Sequence, residues 1–474
     1  MRKLLSVIIL AFFAVSCSMA PKKKDLAKEQ KAPEKFSSQI NSVTQDEVSP
    51  YKWWERFNDE TLNELVEKTI VNNLDIMLAI SRVNLMDSQF GVARRLRFPM
   101  LSAKAGGSYG RAPAVSFSNG QMGYAPKTTD SYTLNLGLSF ELDIWGRLKS
   151  QEKSVIANLL ATKEDLQTVY LSIISQTIIL YNDLRELQEV KKYDTDLFEI
   201  AKELYGFSKQ KYESGMSSLT ELEQSSQQLE SAEAALNSSS SDLKKKINSL
   251  LVLIGEYPKG FLETGVGELP ENYDPIPAGL PASILKNRPD IKAAEFKVEA
   301  ARQDIGAARA DLFPKISITG LLGYLNVMEF TKLFTSDFLT ASAGADVSYS
   351  IAGLSKYAVV DQKFVLYQQA QLNYKKTVLN AFREVEDALL TLENADIQKN
   401  SVEKRLISME KIYQTARTRY EKGVYSYPAL LELKKNIISM KKLNLTITKG
   451  AILSRVQLHR ALGGNWIEKE KKEK

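Results

Sequence analysis

The sequence is poor in the residues on which chemistry usually rests. Its 474 residues include one cysteine, Cys17, and one histidine, His459. A single cysteine excludes a disulfide framework and a cysteine-based metal cluster. The lone histidine lies amid "VQLHRALGG" near the C-terminus and suits a satisfied structural residue better than a catalyst. No Cys/His dyad, H-E-x-x-H, P-loop or dinucleotide fingerprint is read in it. Acid pairs such as Glu384 and Glu386 are ordinary on solvated helices and define no acid–base site. An enzyme is therefore not expected, and neither is a cofactor or a resident metal. The net charge of +6 is modest, and basic residues do not cluster on one element, so nucleic acid is not an implied partner. At 44% hydrophobic and 25% charged residues the composition is globular. The continuous apolar spans of a helical membrane protein are missing.

One short apolar run does occur, Leu4 to Val15, after Arg2 and Lys3. It is too short to cross a bilayer, which takes ~20 apolar residues. Basic start, apolar middle and small residues at the end make residues 1–16 a secretory signal. Ala14-Val15-Ser16 before Cys17 resembles a bacterial lipobox, which implies a lipid-modified Cys17 as the first mature residue; an incidental buried thiol is the alternative. Ser18, in place of aspartate, points by the same resemblance to the outer membrane. Acyl chains would contribute ~0.8 kcal/mol per buried CH₂. Residues 17–50 are polar and Lys-rich and read as an extended segment.

Glycine and proline are both missing from Ser355 to Lys422, and Arg147 to Ser214 is interrupted only by Gly206. Each run spans about 100 Å if helical, at ~1.5 Å per residue. The runs end in matching phrases, "KYESGMSSL" (Lys211 to Leu219) and "RYEKGVYSY" (Arg419 to Tyr427). Gly215 and Gly423 stand where a helix C′ residue needs φ > 0, and Pro428 suits the first turn of a following helix. Two helical hairpins are predicted, with their turns side by side.

The match extends along the chain. Asp75, Ile76, Val83, Gly91, Ala93, Arg94 and Phe98-Pro99 recur as Asp290, Ile291, Val298, Gly306, Ala308, Arg309 and Phe313-Pro314, at a constant offset of 215. Tyr212, Glu213 and Gly215 recur as Tyr420, Glu421 and Gly423 at an offset of 208. The difference is one heptad, a loss that leaves an apolar seam in phase. A duplicated half-molecule follows: residues 51–255 as one repeat, a Gly/Pro-rich linker at 256–276, residues 277–464 as the second repeat, and a charged tail at 465–474. Each repeat reads as a helix of ~35 residues ending at Phe-Pro, two strands, a very long helix and a returning helix. Val378, Phe382, Val385, Leu389 and Leu392 form a local 4-3-4-3 seam. The polar cluster Ser238 to Ser241 lies within the first returning helix.

In "SYTLNLGLSFELD", Tyr132, Leu134, Leu136, Leu138, Phe140 and Leu142 share one face, opposite Thr133, Asn135, Gly137, Ser139, Glu141 and Asp143. Residues Ala341 to Ile351 repeat the alternation, with Asp346 on the polar side, and Leu101 to Tyr109 and Ile316 to Tyr324 are weaker partners. Strict alternation suits membrane strands, apolar to lipid and polar to a lumen, and also the half-buried strands of a soluble sheet. Glu141, Asp143 and Asp346 are candidate lumen residues, for which a plain solvated role is the alternative to a selectivity filter. Four strands cannot close a membrane barrel, because open edges in lipid strand backbone polar groups. Spanning barrels start at about eight strands. Three chains would supply twelve strands and a pore, whereas the eight of two chains would be nearly filled by side chains.

At this point a family likeness is plain. "YKWWERFNDETLNELV", "LSFELDIWGRLKS", "NRPDIKAAEFKVEAARQDIGAARADLFPKISITG", "AFREVEDAL" and "RYEKGVYSYPALLEL" resemble outer-membrane efflux channels of the TolC/OprM type, most closely the lipoprotein branch of the tripartite pumps. The resemblance implies a homotrimer with a twelve-stranded β-barrel in the outer membrane and a long α-barrel in the periplasm. It implies a passive exit duct that docks to a periplasmic adaptor and an inner-membrane pump. It also implies a gate just past the second turn. Glu432 and Lys435 occupy the family's aspartate and arginine positions there, and Pro428 occupies a position where leucine is common. Read without the resemblance, Glu432 and Lys435 are an ordinary exposed pair worth a few tenths of a kcal/mol. Tyr212, Gly215, Arg419, Tyr420 and Gly423 become candidate adaptor-docking residues; for the tyrosines and glycines, capping and packing of the hairpins is the plainer role. A type I protein or peptide secretion channel is the alternative within this class, and a coiled-coil surface stalk is the alternative outside it.

Overall fold

The computed structural model describes residues 19–23, 43–44, 52–118, 121–262, 267, 269, 276–277, 288–327, 330–332, 334–349 and 353–464. The signal segment, Cys17, most of the linker and the charged tail lie outside the described residues. The chain forms two compact units. The first comprises Met1–Asp25, Val83–Thr162 and Ala294–Tyr374, and the second comprises Leu26–Arg82, Lys163–Ala293 and Lys375–Lys474.

The order of elements repeats. Helix α1 (Glu60–Asn72), α2 (Leu74–Arg95), strands β2 (Met100–Ser118) and β3 (Gln121–Leu142), and helices α3 (Arg147–Glu213) and α4 (Leu219–Leu253) come first. Helix α5 (Pro289–Ala310), strands β5 (Lys315–Val327) and β6 (Leu339–Ser348), and helices α6 (Leu354–Glu421) and α7 (Tyr427–Ala461) follow. Two-residue strands β1 (Val43–Thr44) and β4 (Ile276–Pro277) pair in parallel.

The first helix of each repeat is shorter than the expected ~35 residues. In the first repeat the cause is Asn73. Its extended backbone ends α1, and its side-chain oxygen accepts from the Asp75 and Ile76 N–H groups at 3.0 Å, capping α2. Helix α3 runs unbroken through Gly206 for 67 residues, and α6 for 68.

In the first unit, β2-β3-β5-β6 form one antiparallel sheet. Strands β2, β3 and β5 are longer than the sequence pattern indicated, reaching 22 residues in β3, whereas β6 ends at Ser348, short of the expected Tyr349. Register sets Ala103, Leu136, Leu322 and Ala341 opposite one another across all four strands. Paired residues share a face, so one side is a continuous apolar surface. Leu101, Leu136, Leu322 and Val347 on that side are all exposed. Gly323 permits the register shift beside Tyr132 and Leu134, since a Cβ there would lie 2.3 Å from the Leu134 carbonyl oxygen. Among the described residues, β2 and β6 each pair on one side only.

The core of the second unit joins both repeats. Trp53, Trp54, Leu62 and Val66 pack with Ile174, Ile178, Tyr181 and Leu184 of α3, Leu250 of α4, Ile254 just after it, and Val456 of α7. Trp53 stacks on His459 at 4.9 Å. Asp59 caps α1 at Leu62, accepts from the Tyr181 hydroxyl and pairs with Arg185 at 2.5 Å. On α6, Val378, Ala381, Val385, Leu389 and Leu392 are buried, and Phe382 is only half-buried. With Ala381 in place of Phe382 the seam runs 3-4-4-3 and not the expected 4-3-4-3.

The duplication is visible in single hydrogen bonds. Asn73 Nδ2 donates to the Leu253 carbonyl, the last residue of α4. Its counterpart at offset 215, Arg288, donates to the carbonyl of Ala461, the last residue of α7. Arg288 is buried and also binds Asp290 at 2.7 Å and Glu384 at 2.8 Å.

Candidate functional site

Both helical hairpins turn by the same device. At the first turn, Gly215 N–H donates to the Tyr212 carbonyl and Met216 N–H to the Lys211 carbonyl. At the second, Gly423 N–H donates to Tyr420 and Val424 N–H to Arg419. These are Schellman pairs, with the glycines at φ +68° and +72°. A Cβ added at either glycine would meet nothing within 4 Å, so the requirement is backbone conformation, not space. Met216 and Val424, one residue on, are about three-quarters exposed.

The turns differ in how the next helix begins. Ser218 caps α4 by accepting from the Glu221 N–H at 3.2 Å. Ser426 makes no such side-chain bond, and Pro428 supplies the favourable first turn of α7 instead.

Aromatic residues tie the hairpins together. The Tyr427 ring lies 5.4 Å from those of Phe207 and Tyr420, and its hydroxyl donates to Glu203 at 2.9 Å. That bond to a carboxylate, more than burial, pushes the phenol above its ordinary value. Just beyond, Ile200 of α3 packs with Leu431 and Ile438 of α7. Sequence reasoning singled out Tyr212 and Tyr420, both 40% exposed, and missed Tyr427. Its position one residue past the shared serine, Ser218 and Ser426, was the available signal.

Glu432 and Lys435 lie one turn into α7 and pair at 3.2 Å, both half-exposed. Lys435 lines a groove of about 500 Å³ between α3, α4 and α7. Gln224 and Gln227, which occupy the equivalent places in the first repeat, line the same groove. The two copies of this position therefore converge on one space, one copy charged and the other neutral. Deeper along the helices, Lys442 pairs with Asp194 at 2.6 Å. Lys449 then bridges Glu186 at 2.5 Å and Asp183 at 3.1 Å, and Lys246 holds Asp183 from α4 at 2.7 Å.

Of the expected lumen residues, Glu141 lies on β3 and accepts a two-pronged contact from Arg147 at 2.7 and 2.8 Å. Asp346 lies on β6 and accepts from the Thr319 hydroxyl at 3.2 Å. Asp143 does not belong with them. The strand ends at Leu142, and both Asp143 carboxylate oxygens accept backbone N–H bonds from Leu148 and Lys149, capping α3. No helix is long and apolar enough to cross a membrane among the described residues.

Two strands followed by a long helical hairpin, an order written twice in one chain, is a specific arrangement. The family model for the outer membrane efflux protein matches residues 65–256 and 280–464. The chain belongs to that family. This efflux channel chain is 29% identical over 473 residues to the "probable outer membrane lipoprotein SilC" of Salmonella typhimurium, covering 98% of this chain and 99% of that one. It is 28% identical over 483 residues to the "antibiotic efflux pump outer membrane protein ArpC" of Pseudomonas putida, covering 98% and 96%. The crystal structure of the Campylobacter jejuni CmeC outer membrane channel superposes with a TM-score of 0.84 at 25% identity, covering 96% of each chain. The efflux channel chain is thus an outer membrane protein, and its sheet is the barrel portion of the fold.

Proposed function

We propose that three copies of this chain close a twelve-stranded barrel and form the exit duct of a tripartite efflux system. The duct conducts substrates passively across the outer membrane. Its hairpin turns meet a periplasmic adaptor that links it to an inner-membrane pump. The observation that carries this reading is the sheet: an apolar face open to its surroundings and two outer strands each paired on one side only. In lipid such edges need partners of the same kind, and further copies of the chain supply them. Gel filtration in mild detergent should give a trimer; a stable monomer would refute the shared barrel.

The turns suit recognition because they are small exposed loops on rigid helices. Glu432 and Lys435 suit a gate because they occupy the family's gate positions, and threefold symmetry would bring three copies of Glu432 around one axis, where acids facing a narrow lumen repel one another and favour cations. Replacing both with alanine should raise single-channel conductance in planar bilayers, and an unchanged conductance would remove them from the gate. Lipid attachment at Cys17 is part of the same reading, supported by the lobe of small residues before it and by the name of the relative SilC.

A further inference from the structure

We propose that Arg302, Gly306 and Arg309 of α5 form a clamp for the chain just after Cys17, so that the acyl anchor enters the membrane at one fixed place beside the barrel strands. The proposal rests on the reading that Cys17 is acylated.

The grip is on backbone, not on side chains. Arg302 donates from Nη1 to the Pro21 carbonyl, and Arg309 donates from Nη1 to the Met19 carbonyl at 3.4 Å. Proline has no N–H to offer, so a donor-only guanidinium is the matching partner for this stretch. Arg302 is itself held in place. Its Nε and Nη2 donate to both carboxylate oxygens of Glu299 at 2.9 and 2.6 Å, and Gln303 donates to the same carboxylate at 2.8 Å. Between the arginines the helix is bare. A Cβ on Gly306 would lie 2.9 to 3.1 Å from the N, Cβ and Cα atoms of Ala20, so only glycine lets the segment lie this close. Cys17 stands two residues before Met19, which puts the anchor within about 7 Å of the clamped backbone. Helix α5 ends at Ala310 and β5 begins at Lys315, which places the clamp next to the sheet.

The duplication supplies an internal control. At the matching position of the first repeat, Gly91 has nothing within 4 Å. The counterpart of Arg302 there is Asp87, which cannot donate to a carbonyl when ionised, although Arg94 matches Arg309. The helix and its glycine recur, but the complete clamp does not. The contact is thus a feature of the second repeat and not a by-product of the fold.

The test uses the full chain isolated from outer membranes. With Ala20→Cys and Gly306→Cys together, mild oxidation should link the N-terminal segment to α5, because the two Cβ positions are close enough after a small adjustment. The pair Ala20→Cys with Gly91→Cys should not link. An acylated protein in which the first pair fails to link, or both pairs link equally, would overturn the clamp. A second arm needs no cysteine. Gly306→Leu should speed tryptic release of the acylated peptide at Lys22 or Lys23 by about tenfold relative to Gly91→Leu, through loss of local protection; equal rates would overturn the clamp as well. Mass spectrometry showing no acyl chains on Cys17 would overturn the anchoring role together with the reading beneath it, while the linkage result would still judge the backbone contact by itself.

Discussion

Loss of Lys449 should be costly. Its ammonium lies 2.5 Å from Glu186 and 3.1 Å from Asp183, in a half-dry seam where α7 of the second repeat meets α3 of the first. Changing Lys449 to methionine keeps the stem and removes the charge. Asp183 would retain Lys246 at 2.7 Å, but among the described residues Glu186 would be left with the Thr446 hydroxyl at 2.9 Å. Stranding one member of a buried pair costs about 3–5 kcal/mol, and the retained hydroxyl argues for the lower end, about 3 kcal/mol. For a structural unit of this size that corresponds to a fall of roughly 6–10 °C in melting temperature. Thermal melts followed by far-ultraviolet circular dichroism in detergent would measure it. Adding Glu186→Leu should recover most of the loss, because an apolar pair can replace an ionic one at little cost. The pH dependence gives a second handle. Burial pulls the Lys449 pKa down, but Glu186 and Asp183 outweigh it and leave it above the ordinary 10.5. A cation raised in the folded state stabilises fully below its unfolded value and loses that contribution as pH rises through the raised one. Wild type should therefore lose, above about pH 10.5, a stabilisation the variant never had. A Lys449→Met protein that melts with the wild type, or a double variant no better than the single, would refute this account.

Other outcomes follow from the same contacts. Gly255→Ala and Gly463→Ala should each destabilise by more than ~1 kcal/mol, from left-handed backbone alone, in denaturant titrations. Both have φ near +78°, and an added Cβ would lie 2.6 Å from the Asn72 carbonyl oxygen and 2.8 Å from Arg288 respectively. Burial, with a smaller push from Arg56, lowers the His459 pKa from 6.5 to about 3. The unfolded chain then takes up a proton that the folded one refuses, so stability falls as pH drops from 6.5 towards 3. His459→Phe should keep the stack on Trp53 and flatten that part of the acid profile in melts at matched pH.

The parts of the fold that were legible in the sequence were those set by periodicity and repetition. The absence of glycine and proline across Ser355 to Lys422 marked a continuous helix, and strict alternation from Tyr132 to Leu142 marked a strand. The glycine turns were readable because φ > 0 leaves a strong residue preference. What was not legible depends on distant partners. Nothing local announces that Asn73 splits a helix, that Ala381 and not Phe382 fills the seam, or that Arg288 is buried. Asp143 was misplaced because alternation carried through one residue too far; a carboxylate just before a helix start was already a capping signal. Tyr427 was overlooked for a similar reason, since its value lies in Phe207 and Glu203, more than two hundred residues earlier in the chain.

The paired turns have a consequence for anything that binds them. Their backbones are interchangeable, yet one leads into glutamines and the other into an acid and a base. A visitor with identical prongs would therefore find sockets of one shape and two chemistries, and could seat itself only in a defined alternation. Doubling an ancestral unit and then letting one copy drift is enough to turn a uniform rim into a keyed one.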